Sequence, residues 1–187
     1  MFNVTATPLD LLLTRRSAKA RDLVAPGPDG ATLAQILTAA SRVPDHGKLA
    51  PWRFVVIEDR ARFADLILER YAAERPEAGR LERQALRDFA HQAPCLVAVV
   101  SALRESHIPA WEQELSAGAA TAHLLLAAHA AGFAGNWLTG AAAYLPGVAD
   151  ALGVPGGRIA GFVFLGTASR ELEERPRPAL ADVVLRF

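Results

Sequence analysis

The chain contains one cysteine among its 187 residues, and this scarcity excludes several kinds of site. A lone thiol cannot form an intrachain disulfide, a zinc knuckle or a CxxC redox centre. Cys95 lies in an apolar run that continues to Val100, where a thiol behaves as a small hydrophobic side chain. We therefore expect Cys95 to be buried and structural.

An excess of either charge is also absent, because 20 Lys and Arg residues balance 20 Asp and Glu residues. Without net charge there is no global field of the kind that attracts nucleic acid or an anionic membrane. We therefore expect neither of these partners, and any anion-binding site must be local.

A long uninterrupted hydrophobic run is missing as well. Residues 115–149 contain no Asp, Glu, Lys or Arg, but two histidines, an asparagine, several glycines and Pro146 interrupt them. A helix that crosses a bilayer needs about 20 predominantly apolar residues. Residues 1–10 also lack a basic segment followed by an apolar core, so no secretory signal is predicted. The expected compartment is the cytoplasm.

The length and the 51% hydrophobic content favour one compact domain over residues 1–187. Capping residues, breakers and apolar spacing predict a helix that begins near Thr7 and further helices at 33–40, 61–73, 78–91, 110–131 and 146–152. Apolar, β-branched runs predict strands at 54–57, 95–101 and 159–165, with an edge strand at 183–187. The charged, proline-bearing segment 171–178 is expected to be extended and exposed, which suits a tail that wraps a partner.

A polar loop at residues 42–53 precedes the first of these strands, and its two prolines and its glycine disfavour regular helix. The loop carries cations, an imidazole, an acid and an indole, a mixture that suits an anionic aromatic ligand: Arg42, His46, Asp45, Lys48 and Trp52. A surface turn in which Trp52 caps the core explains the loop equally well. The residues alone leave both interpretations open.

Two adjacent arginines and a serine, Arg15, Arg16 and Ser17, end the first helical run. Arginines at the end of a helix commonly interact with the helix dipole in solvent, and the local sequence slightly favours this interpretation. Guanidinium groups and a hydroxyl also match a phosphate monoester in geometry and charge. A phosphate clamp is therefore the functional alternative.

The helix predicted at 110–131 is rich in small and apolar residues on most sides and ends at Gly132. In a chain of this size such a helix is expected to pack against a second copy, which predicts a homodimer. His123 and His129 do not have the spacing that would align two metal ligands on one helical face. The glycine-rich passage 132–140 can expose amide donors to a ligand, but it lacks the GxGxxG pattern of a Rossmann phosphate loop.

Four short motifs follow one another along nearly the whole chain. They are Arg15-Arg16-Ser17; Arg42-x-Pro44-Asp45-His46 leading to Pro51-Trp52-x-Phe54; Trp111-Glu112-Gln113-Glu114; and Gly132-Phe133-x-x-x-Trp137-x-Thr139-Gly140. Together they resemble the FMN-dependent nitroreductase family, and in particular its small, compact branch of NAD(P)H nitroreductases. Each motif is weak by itself, whereas four in sequence are specific.

The resemblance implies an α+β fold with a central, mostly antiparallel sheet flanked by helices. It also implies an obligate homodimer that holds two FMN molecules at the subunit interface. Three residues match the positions that hold the FMN phosphate and ribityl chain: Arg15, Arg16 and Ser17. Two match positions that the opposite subunit contributes to the same flavin, Arg42 and His46.

The resemblance assigns two further stretches. The segment against the flavin would be Trp137, Leu138 and Thr139, with Gly140 just beyond. The stretch that this branch associates with the nicotinamide nucleotide corresponds to Ala127, Ala128, His129, Ala130, Ala131 and Gly132. Alanines on a buried helix are also expected for packing alone, so the second assignment has a structural alternative.

The implied activity is hydride transfer by ping-pong turnover, from NADH or NADPH to the flavin and then to a nitroaromatic, quinone or similar electron-poor small molecule. No metal is implied, and no side chain need act as an obligatory acid or nucleophile. A cation near the flavin pyrimidine would stabilise the reduced ring, and Lys48 or Arg42 could supply it. Leu138 stands where the compact branch has an arginine, which removes one cation from the site. The alternative function is a non-catalytic protein that stores, senses or modifies FMN.

Overall fold

The computed structural model describes all residues, Met1–Phe187, as a sheet with helices on both faces. The helices are α1 (Pro8–Thr14), α2 (Gly30–Ala40), α3 (Arg60–Glu74), α4 (Arg80–His91), α5 (Ala110–Ala130), α6 (Val148–Ala151) and α7 (Leu180–Val183). Single 3₁₀ turns occupy Ala20–Asp22, His46–Lys48 and Ala141–Ala143. None of these helices combines the length and the apolar composition of a transmembrane span.

The sheet contains five strands, and every pairing between them is antiparallel. The strands are β1 (Leu23–Val24), β2 (Trp52–Val56), β3 (Cys95–Ser101), β4 (Ala134–Leu138) and β5 (Arg158–Ala168). The longest strand, β5, pairs with β1, β3 and β4, while β2 pairs with β3 alone. The α+β fold with a central antiparallel sheet flanked by helices is therefore confirmed.

The core is divided between the two faces of the sheet. On one face, aromatic rings from α3 and α4 pack on β5, with centroid distances of 5.4 Å for Phe63–Phe162 and 5.2 Å for Phe89–Phe164. On the other face, α2 and α5 pack on β3 and β5 through residues such as Ile36, Val97 and Leu124. The strand β3 is buried along its whole length, as its unbroken apolar run predicts, and it includes the buried Cys95.

The helix α5 runs across one face of the sheet and ends as predicted at Gly132. The backbone of Gly132 has a φ of +87°, and the Gly132 and Phe133 amides donate to the carbonyl oxygens of His129 and Ala128 at 3.0 and 2.9 Å. This pair of bonds is the Schellman motif, which satisfies the last carbonyls of a helix and favours glycine in the left-handed position. It turns the chain directly into β4.

Three local predictions need correction. The tail at 183–187 is not a strand here, because α7 ends at Val183 and no neighbouring strand pairs with the residues that follow. The strand β2 begins at Trp52 and is an edge strand of mixed burial rather than a fully buried one. The two-residue strand β1 was not predicted, since a strand this short depends on its pairing with β5.

Candidate functional site

A cavity of about 370 Å³ lies where the end of α1, the middle of α5 and the strand β4 meet. Its polar side is formed by Arg15 and Ser17. Its apolar walls are Leu12, Ala122, Leu125, Leu126 and Trp137. Binding sites for small molecules commonly have this size and composition, with a few polar groups in a mostly apolar cavity. We call it the Arg15 cavity.

Arg15 follows the last residue of α1, where its extended backbone ends the helix. Its Nη1 donates to the Ser17 hydroxyl at 3.0 Å, and it forms no ion pair with any carboxylate. A guanidinium beside a hydroxyl, without a carboxylate partner, is well suited to bind an anion such as a phosphate monoester. The structure thus brings two of the three predicted phosphate-binding residues together.

Further arginines raise the positive potential around Arg15. Burial lowers the pKa of the Arg15 guanidinium, and the nearby cations Arg177, Arg16 and Arg175 lower it further. The only opposing charge among the causes of this shift is Glu174. The concentration of like charge favours an anionic ligand, because a bound anion would relieve the repulsion. The tail arginines were not predicted as site residues, since a charged, proline-bearing segment indicates only exposure.

Arg16 points away from the Arg15 cavity and binds the C-terminal tail. Its Nε donates to the Glu173 carbonyl oxygen and lies 4.0 Å from a Glu174 carboxylate oxygen. Arg16 lines a separate polar cavity of about 290 Å³, together with Lys19 and with Ser17, which borders both cavities. Adjacent residues in extended backbone point to opposite sides, and in this structure the two arginines line different cavities.

Trp137 lies on the face of β4 that looks toward α5, where it borders the Arg15 cavity. Its indole nitrogen donates to the Ala160 carbonyl oxygen at 3.1 Å. The next residue, Leu138, packs in the core on the opposite face of the sheet. The Leu138 side chain therefore does not line the Arg15 cavity.

The two residues after Leu138 lead out of β4. Thr139 is half-buried, and Gly140 is exposed with a φ of +58°. A Cβ at Gly140 would lie 3.1 Å from the Phe89 ring, so both the backbone conformation and the close approach favour glycine. Neither residue lines the Arg15 cavity.

The loop that carries Arg42 and His46 lies at the other end of α5. His46 Nδ1 is 2.7 Å from Glu112 Oε2, and the Ser116 hydroxyl donates to the Pro44 carbonyl oxygen at 2.9 Å. Leu126, which lines the Arg15 cavity, lies about 21 Å from Glu112 along the helix axis at the usual rise per residue. Within one chain, the structure does not bring Arg42 or His46 to the Arg15 cavity.

The stretch from Ala127 to Gly132 forms the end of α5 and also lies outside the lining of the cavity. Ala127 and Ala128 pack in the core, whereas Ala130, Ala131 and Gly132 are exposed. His129 is 1% exposed, and neither ring nitrogen has a hydrogen-bond partner. Burial lowers the pKa of His129 to about 4, and the charge of Arg15 contributes to the shift, so the ring is neutral near pH 7.

The apolar walls of the cavity were not predicted as site residues. Leu12, Leu125 and Leu126 have the spacing of ordinary packing positions on amphipathic helices. The helical spacing of these leucines shows which face of each helix is apolar. It does not show whether another helix or a ligand covers that face. Together with Arg15 and Ser17, these leucines suit a molecule that joins a phosphate to a planar ring system.

Comparisons with known proteins show the family of the chain. Residues 12–167 match the model of the Nitroreductase family. The chain is similar to the "Putative NAD(P)H nitroreductase YdjA" of Escherichia coli (strain K12), at 39% identity over 163 residues that cover 85% of this chain and 87% of the relative.

Solved structures share the fold. The nitroreductase-like family protein of Bacillus cereus has a TM-score of 0.80 at 21% identity, over 97% of this chain and 96% of that chain. A nitroreductase with bound FMN from Bacteroides fragilis has a TM-score of 0.67 at 20% identity, over 96% of this chain and 97% of that chain. These similarities extend over the whole sheet and its flanking helices.

Proposed function

The chain belongs to the nitroreductase family, and we propose that it is an FMN-dependent NAD(P)H oxidoreductase. Its acceptors would be nitroaromatics, quinones or similar electron-poor small molecules. Bound FMN would supply the hydride chemistry, which no side chain of the protein can perform. The relative named as an NAD(P)H nitroreductase and the similar structure with bound FMN support this proposal.

The observation that carries the proposal is the pairing of Arg15 and Ser17 at one side of an apolar cavity whose wall includes Trp137. The guanidinium and the hydroxyl would hold the phosphate by charge-assisted hydrogen bonds. The leucines of α1 and α5 and the indole would exclude water from the ring. Arg16 would act on the phosphate through its charge and through its contacts with the tail, since its side chain faces away from the cavity.

The proposed site would include residues of a second copy of the chain, and the exposed apolar surface of this copy supports a homodimer. Apolar side chains on α1 and α5 are exposed: Leu9, Leu12 and Leu13 at 59–75%, with Trp111 at 66% and Leu115 at 53%. Leu12 borders the Arg15 cavity, and Trp111 and Leu115 lie in the N-terminal half of α5. Clusters of exposed apolar side chains are typical of interaction sites.

A dimer would also explain the position of the loop at 42–53. If two copies of α5 pack antiparallel, the N-terminal half of one helix lies beside the C-terminal half of the other. The loop on the first copy, with Arg42 and His46, would then face the Arg15 cavity of the second. The tail at 180–187 is exposed, and its side chains Leu185 and Phe187 have no cover in this chain. The same partner would cover them.

We propose that one cavity serves both substrates in turn, which requires ping-pong turnover. NADH or NADPH would bind against the flavin and leave before the acceptor enters. The exposed end of α5, with Ala130, Ala131 and Gly132, would lie against the nucleotide. These residues offer backbone and small side chains that permit close approach, but they are not part of the cavity wall.

The decisive experiment is a visible absorption spectrum of the freshly purified protein, followed by anaerobic addition of NADH and then NADPH. We expect a flavin band that either nucleotide bleaches and that a nitroaromatic or quinone restores. A flavin that stays oxidised with both nucleotides would favour the non-catalytic flavin-binding alternative. No flavin, even after FMN is added, would overturn the proposed function.

A further inference from the structure

A second, smaller cavity of about 200 Å³ shares Trp137 with the Arg15 cavity. It lies between the N-terminal half of α5, the end of β3 and the beginning of β5. Its lining combines this indole with a hydroxyl, a carboxylate and a guanidinium, from Ser101, Glu114 and Arg158. Trp137 is the only residue common to the two linings, so this is a separate site. We call it the Ser101 cavity.

Ser101 is the last residue of β3 and is 8% exposed. Its hydroxyl oxygen is buried and forms no hydrogen bond in the protein. A buried hydroxyl without a partner costs stability, and an alanine would avoid that cost. The unpaired hydroxyl on the wall of a cavity therefore indicates a partner that is not part of this chain.

Glu114 and Arg158 form an ion pair at the same cavity, with 2.8 Å between Arg158 Nη1 and Glu114 Oε1. The two side chains are 33% and 78% exposed, and exposed pairs of this kind add little to stability. Each residue makes only this one side-chain hydrogen bond, so a carboxylate oxygen and several guanidinium N–H groups stay available.

The position of the indole is fixed by its neighbours on β5. Its nitrogen donates to the Ala160 carbonyl oxygen, and a Cβ at Gly161 would collide with the ring. The ring therefore offers an ordered aromatic wall between the two cavities. A planar ligand can pack against such a wall while its edge meets the polar groups.

These groups select for one kind of chemistry. A simple anion would be repelled by Glu114, a simple cation would be repelled by Arg158, and an apolar group would leave Ser101 unpaired. A planar group that has an N–H donor beside a C=O acceptor satisfies all three, since the carboxylate accepts while the hydroxyl and guanidinium donate.

We propose that the Ser101 cavity binds a planar amide or imide edge. Two molecules of the proposed function carry one, namely the nicotinamide carboxamide of the hydride donor and the imide edge of the flavin ring. The inference rests on the proposed function, because it takes both molecules from there. It assigns to Ser101 and Glu114 a binding role that the phosphate-binding residues do not cover.

The test uses Ser101→Ala and Glu114→Gln in the full-length protein, with Glu69→Gln on the exposed surface of α3 as the matched control. FMN affinity is measured by fluorescence titration of flavin-free protein. Affinity for NAD⁺, which does not react with oxidised flavin, is measured by calorimetry on the flavin-loaded protein. Glu69 makes no ion pair or side-chain hydrogen bond, so its variant reports the effect of lost charge alone.

We expect each cavity variant to weaken one ligand by about tenfold, the effect of losing one hydrogen bond to a charged or buried group. Weaker NAD⁺ binding with unchanged FMN binding would identify the nicotinamide carboxamide as the occupant. Weaker FMN binding with a shifted flavin absorption band would identify the flavin imide edge. Changes below about twofold for both ligands, or an equal loss in Glu69→Gln, would overturn the proposal.

Thermal unfolding separates a binding role from a structural one. Ser101→Ala removes an unpaired buried hydroxyl, so its Tm should equal or exceed that of the wild type. A lower Tm would show that the hydroxyl stabilises the fold, and this would overturn its assignment as a ligand group.

Failure of the proposed function can be distinguished from failure of the inference about the Ser101 cavity. If the wild-type protein binds no FMN, the proposed function fails. The Ser101 cavity is then tested alone, by titration with free nicotinamide. The measured signal is saturable quenching of tryptophan fluorescence. Quenching that saturates in the wild type and weakens in Ser101→Ala would support the cavity, and equal quenching would overturn it. If the wild-type flavin is reduced normally while both variants bind like wild type, the inference alone fails.

Discussion

Gly161 lies directly against the indole of Trp137, and a Cβ at position 161 would collide with the Nε1 and Cδ1 atoms of the ring. The same indole donates to the carbonyl oxygen of Ala160. The missing side chain on β5 thus determines where the aromatic residue of β4 lies. Because Trp137 borders both cavities, this contact couples their shapes.

Gly161→Ala should displace the indole and weaken FMN binding. We expect a destabilisation of about 1–3 kcal/mol, which is typical when a methyl group is forced into a packed interior. The measurements are urea unfolding, tryptophan fluorescence and FMN titration. Gly30→Ala is the matched control, since a Cβ at Gly30 meets nothing within 4 Å. Unchanged FMN affinity in Gly161→Ala would show that the position of the indole does not matter for the flavin.

Arg15→Ala should reduce FMN affinity more than Arg16→Ala does. Arg15 lines the cavity, whereas Arg16 binds the tail. The expected loss for Arg15→Ala is about 10- to 100-fold, as for a hydrogen bond to a charged group, and circular dichroism should show a retained fold. Arg80→Ala, at an exposed arginine on α4, controls for the lost positive charge. Flavin content equal to wild type in Arg15→Ala would refute the phosphate assignment.

His129 should make the protein less stable as the pH falls from about 6.5 to about 4. Its pKa is about 4 in the folded state and near the ordinary 6.5 in the unfolded state. Between these values the unfolded state binds more protons, so protonation favours unfolding, by about 3 kcal/mol at most. His129→Leu should reduce this part of the pH dependence while costing little at pH 7, because both ring nitrogens are unpaired.

The readout for His129 is the free energy of unfolding in urea at several pH values. His123→Leu serves as its control, since His123 is exposed on the same helix. An identical pH profile for His129→Leu and wild type would mean that the burial of the ring does not contribute to acid sensitivity.

Leu115→Glu should dissociate the proposed dimer, because it places a charge on the exposed apolar face of α5. We expect sedimentation to show a monomer and FMN binding to fall together with dimerisation. Leu81→Glu is the control, since Leu81 is 78% exposed on α4, away from this face. A dimeric Leu115→Glu variant with normal flavin content would move the interface elsewhere.

Elements whose signals are local could be predicted closely from the sequence. The bounds of α5 are nearly those expected, because small residues, helical spacing and a terminal glycine act within a few residues of each other. The strands β3 and β5 follow from apolar runs. A strand forms at 23–24 because β5 lies beside it, and none forms at 184–187 because no strand lies beside that tail. Local residue types do not indicate which segments will be adjacent.

Some residues of the candidate site could likewise be predicted from the sequence, and others could not. Arg15, Ser17 and Trp137 were predicted as members of one site, and the structure places them around one cavity. The directions of Arg16 and Leu138 were not predicted, because alternation along extended backbone becomes meaningful only when the buried face is known. The tail arginines near Arg15 come from more than 150 positions away in the chain.

The principal helices, the strands β3 and β5, the balance of charge and the family resemblance could be read from the sequence. These depend on residue types and short spacings. The side chain that faces the cavity, the fit of Trp137 over Gly161, and the meeting of Ser101, Glu114 and Arg158 beside it all depend on tertiary contacts. Such groups come from separate elements, and their meeting depends on sheet register and helix packing, which no local pattern encodes.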